Sequence, residues 1–118
     1  MSTQEDRAHQ RRYFRASVEL PVTIIVPGHE LILAGVARDV SRGGMRVTTT
    51  TDLPAGQAIV LRFLLPGSEH ELLMRGKVVL SFYDAASKQY AHGIAFTQYT
   101  PADLDAVEKW VTAMEKQA

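Results

Sequence analysis

Two short runs in this 118-residue chain combine residue types and spacings that could do chemistry. The first is Arg11-Arg12-Tyr13-Phe14-Arg15, in pattern form R-x-x-x-R. The second is Asp39-Val40-Ser41-Arg42-Gly43-Gly44, or D-x-S-x-x-G. Arginine carries a permanently charged, planar fork of donors that suits phosphate oxygens and the edge of a guanine. A carboxylate accepts hydrogen bonds, and a hydroxyl both donates and accepts. Glycine lets the backbone approach closely or take a positive φ that a side chain would obstruct. By average residue usage, the arginine pattern alone arises by chance in roughly a quarter of chains this long, the second in only a few per cent. Alone, the first reads as a solvated arm and the second as a plain hairpin turn. Both together, on either side of one alternating strand, point to a local anion site.

The composition narrows the chemistry further. Thirteen basic and 13 acidic residues give a net charge of zero. A general attraction to nucleic acid or anionic lipid is therefore weak. The basic residues are unevenly spread, however. Nine of the 13 are arginine, and seven of those precede residue 47 (Arg7, Arg11, Arg12, Arg15, Arg38, Arg42, Arg46), against five acids in the same stretch. There are no cysteines, which excludes disulfides, thiol catalysis, iron–sulfur clusters and cysteine-built zinc sites. With 46% hydrophobic and 22% charged residues, the chain has the make-up of one globular domain. No stretch approaches the ~18 consecutive apolar residues of a membrane helix, and Met1–Arg15 lacks the apolar core of a signal peptide. The expectation is a soluble, cytoplasmic protein without membrane insertion.

The elements that must position the two motifs follow from periodicity. Residues 1–16 are polar, charged and aperiodic, and read as a flexible arginine-containing arm. Residues 17–118 then form the folded domain. From Val18 to Val26 apolar and other residues alternate, a half-buried strand, with Pro21 marking a free edge or a bulge. Leu31–Val40, Met45–Thr50, Ala58–Leu65, Leu72–Tyr83 and Tyr90–Phe96 read as five more strands. Pro27-Gly28-His29 and Pro66-Gly67-Ser68 are turns, and Asp52–Gln57 is a loop. Thr100-Pro101-Ala102-Asp103 signals a helix start, and Leu104, Val107, Val111 and Met114 recur at helical spacing beside Trp110. Six short strands and one helix predict a mainly β fold, an antiparallel sandwich or a small barrel that removes its edges by closing on itself.

The two motifs, in this order, resemble those of the PilZ domain, the bacterial receptor module for cyclic di-GMP. Tyr90-Ala91-His92-Gly93-Ile94-Ala95-Phe96 is similar to that family's late G-x-x-F strand. The resemblance covers nearly the whole chain, from Arg11 to the C-terminal helix. It implies a six-stranded antiparallel β-barrel with a C-terminal α-helix, in agreement with the strand count. It implies a second-messenger receptor, not an enzyme, with cyclic di-GMP as ligand and no cofactor. The family's positions fall on Arg11, Arg15, Asp39, Ser41 and Gly44, with Gln10, Arg12, Gly43 and Arg46 as further candidates. The arginines suit the ligand's phosphates and the O6/N7 edge of its guanines. Asp39 would accept from the guanine N1–H and amine, and Ser41 would meet a phosphate or a base. In the family the residue before the first arginine influences whether one ligand or a stacked pair binds, and Gln10 leaves that open. The expected mechanism is closure of the arm over the nucleotide. The altered surface would then meet an unidentified downstream protein or change self-association.

Other readings are weaker on the residues. Ser41 lies outside a G-x-S-x-G elbow, and His92 is its only candidate base. His9, His29, His70 and His92 lie on separate segments without metal-ligand spacing, so no metal site is expected. A single-strand nucleic-acid barrel could use Tyr13 and Phe14 to stack bases, but zero net charge argues against a nucleic-acid partner. A PilZ-like interaction module without ligand is the remaining alternative, against which stand both retained motifs.

Overall fold

The computed structural model describes residues 14–118. Its strands are β1 (Ala16–Val26), β2 (Leu31–Val40), β3 (Gly44–Thr49), β4 (Ala58–Phe63), β5 (Leu72–Asp84) and β6 (Gln89–Gln98), followed by helix α1 (Pro101–Gln117). They form a closed barrel in the order β1-β2-β3-β6-β5-β4, with every neighbouring pair antiparallel. The fold expected from the strand count is therefore the fold observed. β1 begins at Ala16, two residues before the alternation becomes visible, and Ala16 is buried.

The alternation fills the barrel. Leu20, Val22, Ile24 and Val26 of β1 all point inward, where they meet Leu61 and Phe63 of β4, Met74 and Val78 of β5, and Ile94 of β6. Pro21 lies where its missing N–H does least harm. The β1–β4 ladder starts at Val22↔Phe63, so Pro21 pairs only with Val36 of β2. A bulge between Ser17 and Leu20 lies alongside it. Both readings of that proline, a free edge and a bulge, apply. Met45 and Met74 are buried as core filler, whereas Met114 is only half-buried. The Asp52–Gln57 loop contributes one core residue, Leu53, which sequence periodicity could not single out.

Helix α1 covers one end of the barrel. Thr100 caps it with extended dihedrals, its hydroxyl accepting from the Asp103 N–H at 3.1 Å, and Pro101 occupies the first turn. Val107 and Val111 are fully buried, each stabilising by about 1.5–3 kcal/mol. Leu104 and Trp110 flank them half-buried. Two tethers fix the helix on the barrel. At its start, the Asp103 carboxylate accepts from the Leu73 N–H of β5 at 3.4 Å. Near its end, Arg42 donates to Thr112 Oγ1 at 2.9 Å and reaches Glu115 at 3.4 Å.

Candidate functional site

The second motif straddles the end of β2, the turn and the start of β3, and a bulge sets its orientation. Ala37 pairs with Val47, but Asp39 pairs with Arg46, so Arg38 is an extra residue. Strict alternation from the buried Ala37 would aim Asp39 into the core. The inserted residue instead turns both Arg38 and Asp39 outward and returns Val40 to the interior. Asp39 then faces two arginines. Arg15 Nη1 lies 2.8 Å from Oδ1, and Arg46 Nε lies 3.3 Å from Oδ2. The carboxylate is mostly covered (13% exposed), whereas both guanidinium side chains stay more than half exposed. One acid thus orients two cationic forks, and the trio carries net positive charge.

Ser41 and Gly44 close the turn. Ser41 is buried, its N–H donates to the Gly44 carbonyl at 2.8 Å, and its hydroxyl accepts from the Gly43 N–H at 3.3 Å. Gly43 in turn accepts from the Phe96 N–H at 2.9 Å, which ties the turn to β6. Gly44 is required by close approach, not by a positive φ. The glycines with positive φ are Gly28, Gly56 and Gly67. A Cβ on Gly44 would instead collide with the Ile94 carbonyl oxygen of β6.

Together these residues rim a surface cleft of about 240 Å³. Arg15, Ser41, Gly43, Gly44 and Met45 line it together with Val79 of β5 and Gly93, Ile94 and Ala95 of β6. This is smaller than the ~300–1,000 Å³ of enclosed small-molecule pockets, so it can serve as the floor of a site and not as a full enclosure. Asp39 and Arg46 stand beside Arg15 rather than within the cleft. Four motif positions (Arg15, Ser41, Gly43, Gly44) therefore share one depression, and Asp39 and Arg46 join it through Arg15. Gln10, Arg11, Arg12 and Tyr13 lie outside the described residues.

Several residues of the site carry little signal in the sequence. Gly93 belongs to the G-x-x-F strand, where it pairs with Arg46 on one side and Leu80 on the other. Val79 is the extra residue of a further bulge, between Val78 and Leu80, that turns both Val79 and Leu80 outward. Its trace in the sequence is the unbroken apolar run Val78-Val79-Leu80. Phe14 is half-buried and packs against the core.

His92 belongs to a different cluster from Ser41. It is fully buried, with Nε2 2.9 Å from Thr49 Oγ1 and Nδ1 3.1 Å from Ser81 Oγ. Ser81 also donates to Asp52 at 3.1 Å. Burial pushes the imidazole pKa below its ordinary value, and the Thr51 backbone and the Asp52 carboxylate offset part of that. Among the described residues, no group of three or more His, Cys, Asp or Glu side chains could hold a metal ion, and no helix is long and apolar enough to cross a membrane.

Comparisons with known proteins agree with this architecture. Among curated protein sequences, none matches the chain. Among solved structures, the Bacillus subtilis inhibitor of motility (MotI/DgrA) superposes with a TM-score of 0.78 at 20% identity, over 91% of this chain and 52% of that one. The K. pneumonia MrkH–c-di-GMP complex gives a TM-score of 0.74 at 17% identity, over 91% of this chain and 53% of that one. The chain thus spans about half the length of both. The PilZ domain of Escherichia coli YcgR, solved with c-di-GMP, gives 0.66 at 16% identity, over 92% and 93% of the two chains. At these identities the likeness shows the barrel fold. The family itself is shown by the match of the PilZ domain to residues 9–113, and the chain accordingly belongs to the PilZ family, whose members are receptors and regulators rather than enzymes.

Proposed function

We propose that this chain is a receptor for cyclic di-GMP. The observation that carries the reading is the meeting of Arg15, Ser41 and Gly44 at one cleft, with Asp39 paired to Arg15 beside it, in a chain of the PilZ family. Relatives of the same fold were solved with c-di-GMP, which supports the same ligand here. In this reading, Arg15 leaves part of its pairing with Asp39 to meet a phosphate or a guanine edge. Asp39 then accepts from the guanine donor edge while Arg46 holds its second oxygen. Arg11, with Arg12 assisting, supplies the second fork from the preceding segment, and Gln10 bears on the number of ligands bound. The segment that precedes β1 acts as the arm that orders over the nucleotide, and the barrel, which already includes the buried Ala16, receives it. The output passes to a downstream protein or to self-association.

Calorimetric titration with cyclic di-GMP tests the reading, with GTP and a short oligonucleotide as controls. Saturable binding of the cyclic dinucleotide alone, at micromolar or lower concentration, is expected, and the titration also yields the stoichiometry. Absence of heat and of thermal stabilisation at high ligand concentration would refute it. Binding of the oligonucleotide instead would identify a nucleic-acid barrel.

A further inference from the structure

The barrel closes between β4 and β1, but its strands are unequal in length. The β4 ladder on β5 ends at Ala58↔Lys77. One residue further, Val78 still exchanges backbone bonds with the β3–β4 loop, its N–H donating to Gln57 O at 2.9 Å and its carbonyl accepting from Gly56 N–H at 2.6 Å. From Val79 to Asp84, β5 continues with β6 as its single ladder partner among the described residues. The loop's other hydrogen bond to this stretch joins side chains, Ser81 to Asp52, and leaves the backbone row open.

The side chains along this row are those of a pairing strand. Val79, Leu80, Phe82 and Tyr83 are 56%, 57%, 49% and 53% exposed, an unusual density of bare apolar surface for five residues. The run Val79-Leu80-Ser81-Phe82-Tyr83 has no charge, proline or glycine, and β-branched and aromatic residues favour strands. An open row of N–H and C=O groups on such a strand is a template for another strand. A second stretch without a β4 partner among the described residues, Ala16 to Pro21 of β1, carries Glu19 and Pro21, which discourage pairing. The β5 edge has neither guard.

We infer that this edge pairs with the same edge of a second copy of the chain, antiparallel about a two-fold axis at Ser81. Self-complementarity selects this occupant. Pairing centred on Ser81 sets Leu80 opposite a second Phe82 and Val79 opposite a second Tyr83, apolar on apolar. Asp84 falls opposite Val78, so no like charges meet. The same patch serves both copies, so the assembly closes at two and does not extend into a fibre. The edge begins at Val79, which also lines the cleft beside Arg15. The pairing does not depend on the ligand assignment.

The test is the mass of the full chain by sedimentation or light scattering, over a series from low to high micromolar concentration. The mass is expected to rise from one copy to two. Leu80→Lys and Phe82→Lys, both at exposed positions, are expected to raise the midpoint concentration at least about tenfold by placing charge on a self-paired edge. Their melting at low concentration should match the parent. A single-copy mass at every concentration would overturn the proposal. So would a dimer indifferent to both lysines, which would put the interface elsewhere.

Discussion

Gly44→Ala adds one methyl group where two strands already touch. Gly44 faces Ala95 across the β3–β6 ladder. Its Cβ would land on the Ile94 carbonyl oxygen, with Ile94 C at 3.1 Å and Ala95 Cα at 3.3 Å. All three are backbone atoms, which cannot rotate aside as the end of a side chain can. Relief requires β3 and β6 to part, and that loosens the 2.8 Å bond from Ser41 N–H to Gly44 O and the 2.9 Å bond from Phe96 N–H to Gly43 O. Overpacking costs about 1–3 kcal/mol, and each weakened bond adds about 1 kcal/mol. The expected loss of about 3–5 kcal/mol is a large share of the 5–15 kcal/mol typical of a domain. At about 3–5 °C per kcal/mol for this length, the melting temperature falls by about 9–25 °C. Thermal unfolding followed by circular dichroism measures this, with Gly28→Ala as the control. Gly28 has φ +82° and nothing within 4 Å of its Cβ position. An alanine there meets conformational strain alone, about 1–2 kcal/mol. If Gly44→Ala melts no lower than Gly28→Ala, the close-contact reasoning is wrong.

Three other perturbations separate binding from folding. Arg15→Ala removes an exposed ion pair, worth at most about 1 kcal/mol after solvent screening. Melting should therefore hold while cyclic di-GMP affinity drops at least about tenfold; undiminished affinity would remove Arg15 from the site. Arg42→Ala frees the turn from Thr112 and Glu115, at a cost of about 1 kcal/mol. Amide exchange over residues 110–117 should quicken more than exchange in β4, and uniform protection would contradict the tether. His92 has a depressed pKa in the folded state, so the unfolded chain takes up its proton first. Its contribution is complete above the unfolded pKa and is lost as pH falls through the folded value. Denaturant titrations between about pH 7 and pH 5 should show the parent losing more stability than His92→Gln, and parallel curves would count against it.

The barrel was legible because its strands are half-buried. Val18 to Val26 alternates so regularly that face, length and turn could all be read from it. What stayed hidden arises from pairing between distant segments. The bulge at Arg38 follows from the β2–β3 register, and nothing local announces that Asp39 turns outward. Val79 enters the cleft through a bulge on a strand some forty residues further along the chain. The motifs themselves were visible, but their parts carry different duties. Ser41 and Gly44 are held by the turn and by β6, so both have a structural duty in this barrel besides any contact with a ligand. Arg15, Asp39 and Arg46 have no such duty in the core. Their presence speaks for binding more directly than the serine and glycine do.

The C-terminal helix has a practical bearing. Met114, Gln117 and Ala118 share a depression with Phe14, Arg15, Ala16 and Ser17, while Arg42 grips the same end of the helix from the motif turn. Both strand ends that carry the site thus rest on one short lever. A fluorophore or affinity tag attached after Ala118 sits against the segment that bears Arg15, so it is well placed to report a shift there and equally able to obstruct one. Probes meant to be silent belong on the Gly67-Ser68 turn, which lies outside this contact.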